Sequence, residues 1–395
     1  MNARRPALDI AIAGGGMVGA ACALALARRG LAVALLEARE PKAWHPSEPE
    51  DLRVIALAPS SARLLKELGV WRSIEAARVS PYRRMCVWDA ASGAELGFDA
   101  VHEGRAQLGW IVENNLIAYT LWNALEGAGV RRVCPARVTT FAQRGDRITL
   151  DLDNGEVLSA ALLVIADGAG SALREQAGIG VRGRDYAQRA VVAHVATERP
   201  HAATAWQRFT HEGPIALLPL SDGRSSMVWS LPETRARGVL ALDDAAFCEA
   251  AGMASDFRLG CLVSTTPRAS FPLRLQIAER FSAGRCVLVG DAAHAVHPLA
   301  GQGANLGLRD VAELASVLGE ARDAGRDFAA SHVLERYARR RRAASMLDAR
   351  AFDAIERMFA WQAPGWAMLR GAGMRAVDAL GPLKRLLSAH AEGVA

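Results

Sequence analysis

LDIAIAGGGMVGAACALALARRGLAVALLE, residues 8–37, is the stretch whose reading decides the fold. Leu8 to Ala13 is a short apolar run of strand length. It ends in Gly-x-Gly-x-x-Gly at Gly14, Gly16 and Gly19, with Met17 and Val18 inside the turn, and Ala20 to Arg29 follows as an alanine-rich helix. A second strand, Ala32 to Leu36, ends at Glu37, roughly 20 residues beyond the glycines, where a carboxylate can accept hydrogen bonds from an adenosine ribose. Glycines let the backbone approach a pyrophosphate, and the start of the helix offers free N–H groups and a positive dipole end. A glycine turn used only for close packing would not need strand, helix and Glu37 in this register. The reading is therefore an α/β protein with a Rossmann-like dinucleotide site.

Working outward, the 395 residues are 51% hydrophobic and 23% charged, an ordinary globular composition that excludes disordered, collagenous and disulfide-stapled chains. The length suggests two or three domains. The basic residues include only three lysines, Lys42, Lys66 and Lys384. An arginine bias of that kind reads as genome composition rather than nucleic-acid chemistry. Six cysteines lie far apart with no CxxC pair, which suits reduced thiols in a cytoplasmic protein. Arg4 and Arg5 before the uncharged run from Ile10 to Ala27 imitate a signal peptide or short membrane span. The glycines at 14, 15, 16 and 19 break the imitation, and no other stretch is long enough to span a bilayer.

Two further elements end apolar strands in glycine and aspartate. Ala161 to Ala166 leads into Asp167-Gly168-Ala169-Gly170-Ser171, and Cys286 to Val289 leads into Gly290-Asp291. Beyond the latter, Pro298 forbids an uninterrupted helix, so a loop should run to Gly301 and a helix begin near Gly303. A second Gly-x-Gly-x-x-Gly at Gly178, Gly180 and Gly183 is rejected as a nicotinamide site, because no strand precedes it and polar residues follow. Asp291, His294 and His297 are likewise rejected as a metal site, since no matching ligand cluster stands elsewhere.

These residues carry a resemblance. The three fingerprints, Gly14 to Glu37, Asp167-Gly168 and Gly290-Asp291, resemble those of the FAD-dependent aromatic hydroxylases, the group A flavoprotein monooxygenases. GDAAHAVHPLAGQGANLGLRD, residues 290–310, is similar more narrowly to the ubiquinone-biosynthesis hydroxylases. Arg53-Val54-Ile55-Ala56-Leu57, Trp110 to Asn114, Trp206 to Phe209, Gly213-Pro214 through Pro219-Leu220, Val228-Trp229 and Pro382-Leu383-Lys384 agree, so the likeness covers nearly the whole chain. Two positions depart from the family pattern. Ile165 replaces the usual glycine before Ala166-Asp167-Gly168. Ala304 replaces a larger leucine or methionine, which bears on the substrate rather than the cofactor.

The resemblance implies FAD as cofactor and NADH or NADPH as transient reductant, bound in an open groove. It implies transfer of oxygen from O2, through a flavin C4a-hydroperoxide, to an electron-rich phenol. Carried over residue by residue, Gly14, Gly16, Met17, Val18 and Gly19 hold the pyrophosphate, Glu37 the ribose and Asp291, with Gly290, a ribityl hydroxyl. Arg53 and Asn114 touch the cofactor and Val138 lies beside the adenine. Asp167 and Gly168 serve FAD, and Pro298, Gly301, Gln302, Gly303, Ala304 and Asn305 line the flavin ring. Flavin carries the hard chemistry, so no residue is named as a catalytic base.

The FAD-binding domain is expected to be discontinuous, from residues 1–78, 105–180 and 272–325. A substrate-binding domain of antiparallel strands comes from 79–104 and 181–271, where Arg83 to Phe98 and Ala190 to Trp229 alternate apolar and polar residues. Gln207, Phe209, Leu217 and Trp229 are candidates for its substrate side, each weighed against an ordinary core role.

Residues 326–395 read as a C-terminal helical segment. Residues 331–395 hold eleven basic and six acidic residues, and the rest of the chain balances at 36 of each, so the whole net charge of +5 sits in this tail. Its arginines and tryptophans suit a packed helix with a solvated basic face, or an anionic inner-membrane surface or a partner in a quinone-biosynthesis complex. The expected substrate is an aromatic, prenylated small molecule. A hydroxylase of another phenol, a flavin-dependent reductase or a non-catalytic subunit are the competing readings; the Trp-x-Trp-x-Ile-Pro element of flavin halogenases is absent.

Overall fold

The computed structural model describes residues 8–295 and 302–393, and among them three sheets form. The largely parallel sheet is built around five strands in the order Cys286–Leu288, Val157–Ile165, Leu8–Ala13, Val33–Leu36, Arg131–Val133. Its central strands are continuous apolar runs because both of their faces are covered, as parallel sheets require. The helix Met17–Arg28 packs between that sheet and the helices Asn114–Gly127 and Gln302–Asp323. Its small residues, Ala20, Ala21 and Ala23, are fully buried and let three layers meet closely.

The second sheet is mainly antiparallel, ordered His294–Ala295, Ala269–Ala278, Val181–Thr197, Ser225–Pro232, Pro214–Pro219, Thr204–Phe209, Arg84–Asp89, Glu95–Asp99, with Leu262–Thr265 also paired to Val181–Thr197. The alternation read in Arg83 to Phe98 and Ala190 to Trp229 is this sheet. On one face Val191, Ala193, Ile215, Leu217, Met227 and Trp229 pack into a core with residues of the helices Glu233–Leu240 and Asp244–Ala254. The opposite face looks towards the parallel sheet. Ala269–Ala278 stays paired with Val181–Thr197 to its end, so the chain returns to the first sheet near residue 279 rather than at 272. The second Gly-x-Gly-x-x-Gly runs into the strand Val181–Thr197, and a Cβ on Gly183 would strike the Leu275 carbonyl oxygen. That glycine serves strand pairing.

A third sheet of Val54–Leu57, Gly109–Glu113 and Val79–Tyr82 bridges the other two. The last three helices are Ser331–Ala360, Trp366–Ala379 and Gly381–Glu392. Arg370 clamps Asp89 through two buried hydrogen bonds of 3.0 and 2.8 Å, tying Trp366–Ala379 to the second sheet. The arginine run keeps the solvated face expected at Arg339 and Arg340, while Arg341 turns inward and is buried. Arg336 pairs with Glu320, Arg340 with Glu313 and Arg341 with Asp310, all on Gln302–Asp323. Acids spaced along that helix pair with the run, at the surface for Arg336 and Arg340 and in the interior for Arg341.

Candidate active site

The strands Leu8–Ala13, Val157–Ile165 and Cys286–Leu288 are neighbours and parallel, so their carboxyl ends bring Gly14, Asp167-Gly168 and Gly290-Asp291 to one edge of the sheet. Ligands of open α/β sheets bind at that edge. Gly14 has φ +105°, and a Cβ there would lie 2.4 Å from the Ala166 carbonyl oxygen. Gly19 is tighter, since its Cβ would lie 1.9 Å from the Gly14 carbonyl oxygen. Gly16 is different in kind. A Cβ on it meets nothing within 4 Å, and it begins the helix Met17–Arg28 with no side-chain cap. The first N–H groups of that helix therefore open onto free space. Met17 is buried and Val18 half-buried against the core. Glu37, at the end of Val33–Leu36, accepts hydrogen bonds from the Gly15 N–H (2.5 Å) and the Arg39 N–H (3.1 Å).

Gly290 and Asp291 are held from behind. Asp310, fully buried, accepts the Gly290 N–H at 2.9 Å, meets His294 Nε2 at 2.6 Å and accepts Arg341 Nε at 2.7 Å. Burial opposes charge on both partners of the His294–Asp310 contact, yet the pairing wins. Asp310 is held below the ordinary carboxylate range and His294 above the ordinary imidazole range. His294 is thus engaged in shaping the turn rather than offered to a metal, and His297 lies outside the described residues. Asp291 faces the cavity described below. Its side chain is open to the cavity, and desolvation by the surrounding protein pushes its carboxyl up, against the pull of His294 and Arg53. Val18 packs on Gly290 and Gly307, whose missing side chains make room for it.

Arg53 is joined to Asn114 through the backbone, the Asn114 N–H donating to the Arg53 carbonyl at 2.8 Å, and both line a cleft of about 490 Å³. Glu113, buried next to Asn114, accepts from Trp44 Nε1 (3.0 Å) and the Asp51 N–H (2.8 Å), which fixes the loop leading to Arg53. Sequence reasoning quoted Glu113 without giving it this role. Val138 is half-buried at the start of Val138–Arg144. Gly168 has φ +91° in the turn after Asp167.

Pro298 and Gly301 lie outside the described residues. Gln302 opens the helix Gln302–Asp323, near the start expected, and Gly303 follows half-buried. Ala304 is half-buried and packs against the apolar core. Asn305 is fully buried; its Oδ1 accepts from the Ala58 N–H (2.9 Å) and Ser61 Oγ (2.7 Å), and its Nδ2 donates to the Ala56 carbonyl (2.8 Å). Its amide locks the helix to Val54–Leu57. Ile165 sits buried in its strand, registered with Ala13 and Leu288.

Between this edge and the second sheet lies a cavity of about 470 Å³. Leu52, Arg53, Gly170, Asp291 and Ala295 bound it on the nucleotide side; Ala190, Val192, Ala216, Leu218 and Val228 make an apolar far wall, with Phe271 at the rim shared with the cleft of Asn114. Of the four substrate-side candidates, Gln207 lines this cavity. Phe209 borders an adjoining crevice and stacks on Phe359 with centroids 4.0 Å apart. Leu217 and Trp229 point to the opposite face, into the core beneath the helices Glu233–Leu240 and Asp244–Ala254. Alternation marked both faces of these strands, and only the packing of those two helices selects which is buried in core. Ser226 and Ser230 also line the cavity and were missed for the same reason.

Residues 7–350 match the FAD binding domain family. The 3-demethoxyubiquinol 3-hydroxylase of Escherichia coli is 38% identical over 387 residues, 98% of either chain. The ubiquinone hydroxylase UbiL of Rhodospirillum rubrum is 37% identical, covering 98% of this chain and 89% of its own. Among solved structures, p-nitrophenol 4-monooxygenase PnpA from Pseudomonas putida superposes with a TM-score of 0.76 at 18% identity, over 98% of each chain, a likeness of fold. The chain belongs to the FAD binding domain family and, within it, to the FAD-dependent aromatic monooxygenases of ubiquinone biosynthesis.

Proposed function

We propose that this enzyme hydroxylates the aromatic ring of a polyprenyl phenol, a ubiquinone precursor, with O2 and NADH or NADPH. The observation that carries the reading is the cavity itself: it joins the nucleotide edge of the parallel sheet to an apolar wall of the second sheet, and it is wide enough for a substituted ring. The residues present fit FAD. The uncapped helix start beside the open face of Gly16 suits a pyrophosphate, with Gly14, Met17, Val18 and Gly19 shaping the turn. In this reading Glu37 takes the ribose, Val138 the adenine side, and Arg53, Asn114, Asp167, Gly168, Gly290 and Asp291 the remainder. Bound FAD supplies reduction by NAD(P)H and the activation of oxygen. The chain's own part is to position and to shield. Ala190, Val192, Ala216, Leu218 and Val228 exclude water from the ring, and Gln207 offers an amide for orienting it.

Holoenzyme given a 2-prenylphenol and NAD(P)H should yield product with one added oxygen, close to one per NAD(P)H oxidised. No product with any prenylphenol overturns the reading. Gln207→Leu should raise KM about tenfold, the loss of one hydrogen bond from a desolvated site, and divert reducing equivalents to hydrogen peroxide.

The finer part of the proposal is where the substrate is met. No helix of the described residues is long and apolar enough to cross a membrane. The last helix, Gly381–Glu392, is instead amphipathic the wrong way round for a monomer's surface. Lys384 and Ser388 face inward, Lys384 on Asp378 and Phe98 and Ser388 on Glu103, while Leu383, Leu386 and Leu387 are exposed. Met368 and Leu369 on the preceding helix are 74% and 64% exposed, and Arg375 and Arg385 are exposed beside them. Exposed leucines flanked by arginines favour an anionic bilayer surface. Full-length protein should co-sediment with anionic liposomes at low salt, and Leu386→Glu together with Leu387→Glu should release it. Equal sedimentation of wild type and double variant overturns the contact.

A further inference from the structure

The far wall of the cavity holds a polar pair that FAD does not explain. In the second sheet Ala190, Val192 and His194 register with Ser230, Val228 and Ser226. Residues directly opposite in an antiparallel pair point to the same face, so His194 and Ser226 stand side by side on the cavity face. His194 gives its backbone N–H to Thr266 Oγ1 and its carbonyl to the Thr266 N–H, both at 2.9 Å. It is therefore a non-hydrogen-bonded partner of Ser226, the closer of the two kinds of pairing. Each side chain is 1% exposed, yet Ser226 Oγ and both ring nitrogens of His194 have no hydrogen-bond partner. Ser226 lines the cavity, and His194 stands beside it on the same face of the sheet.

Buried polar atoms are almost always satisfied, and a group that is not is an acceptor or donor awaiting something. Three such atoms together, on a wall that is apolar apart from Gln207 and Ser230, are improbable as packing. Burial, with Arg224 nearby, pushes the His194 imidazole down to about 4, so the ring is neutral and keeps one donor and one acceptor nitrogen. A serine hydroxyl both donates and accepts.

We infer that Ser226 recognises a hydroxyl on the substrate ring: the two side chains make no hydrogen bond to each other in the free protein, and on binding the ring oxygen donates to Ser226 Oγ while the Ser226 hydroxyl turns its own proton towards the neighbouring His194. Ser226 is the contacting group and His194 the positioning residue. The inference rests on the hydroxylase reading and adds to it which wall holds the ring's oxygen: the strand pair Val181–Thr197 and Ser225–Pro232, across from Asp291.

The test uses FAD-loaded enzyme and compares a 2-prenylphenol with its O-methyl ether, binding being followed by the change each ligand makes in the flavin absorption spectrum. Wild type should prefer the phenol about tenfold. Ser226→Ala should reduce that preference to about twofold by weakening the phenol alone, and His194→Phe should do the same, whereas His194→Gln, which keeps a donor and an acceptor, should retain part of it. Ser226→Ala removes a hydroxyl with no protein partner, so its thermal stability should not fall. An undiminished preference in Ser226→Ala, or a loss of stability in it, overturns the assignment while leaving the hydroxylase reading intact. A wild type that neither binds nor hydroxylates the phenol overturns both.

Discussion

Gly19→Ala is expected to purify without flavin colour. A Cβ at that position would lie 1.9 Å from the Gly14 carbonyl oxygen and 3.3 Å from Ala166 Cβ. Neither neighbour is a flexible side chain. Gly14 is held by its N–H on the Leu36 carbonyl at 2.9 Å, and the strand before it is clamped by the Ala166 N–H on the Ala13 carbonyl at 2.8 Å. The helix Met17–Arg28 must then move outward, but it is wedged against Asn114–Gly127 and Gln302–Asp323. Overpacking of this sort costs about 1–3 kcal/mol in ordinary cores. Displacing the helix start should weaken FAD by about ten- to a hundredfold. Gly16→Ala separates the two effects. Its Cβ enters open space and its φ of −64° suits alanine, so the apoprotein should melt where wild type does. The methyl group would nevertheless occupy the space assigned to the pyrophosphate, and FAD affinity should fall. Normal FAD retention by Gly16→Ala would show that the nucleotide lies elsewhere.

The second large effect is expected at Asp310. Asp310→Leu leaves Arg341, the His294 ring and the Gly290 N–H buried without their acceptor. Breaking a buried ionic network from one side costs about 3–5 kcal/mol, which a urea unfolding midpoint reads directly. Removing Arg341 as well, as Arg341→Met, should cost less than the two single changes added together, because the second substitution removes a charge the first had stranded. The effect also has a pH signature. His294 is raised in the folded protein from an ordinary value of 6.5, so its contribution is complete below that value and is lost as pH rises through the folded value. Asp310 is lowered from 3.8, so its contribution is present above that value and lost as pH falls through the folded one. The stability gap between wild type and Asp310→Asn should therefore be wider at pH 6 than at pH 9. An equal gap at both would mean that His294 does not change its charge between those two pH values.

This network shows which of the C-terminal arginines the sequence left undecided: Arg341 is buried while Arg339 and Arg340 stay on the solvated face. Arg336, Arg340 and Arg341 look like a solvated basic face because nothing nearby in the chain opposes them. Their acids, Glu320, Glu313 and Asp310, are 16 to 31 residues away on another helix. The last helix is a different case. Leu383, Leu386 and Leu387 share a helical face by spacing, yet only the docking of Lys384 and Ser388 on Phe98, Asp378 and Glu103 leaves that face outward. Gln207, Leu217 and Trp229 divide likewise: alternation grouped them, and sheet register sent Gln207 to the cavity and the other two into core.

By itself the sequence determined the elements whose chemistry is local. Strand, glycine turn, helix and Glu37 can be read from residues 8–37 because turn geometry and phosphate approach depend on a few consecutive residues, and residues 290–310 identified the family by their order alone. The tertiary structure decided everything that depends on a partner distant in the chain: which face of each strand meets the cavity, that Asn305 braces a helix through its amide, that Asp310 is the acceptor shared by Gly290, His294 and Arg341, and that His194 and Ser226, 32 residues apart, stand together without a partner. The physical reason is that hydrogen-bond satisfaction and burial belong to the packed chain as a whole. Spacing supplies the periodicity of a face, and only packing against a second element gives that face its direction.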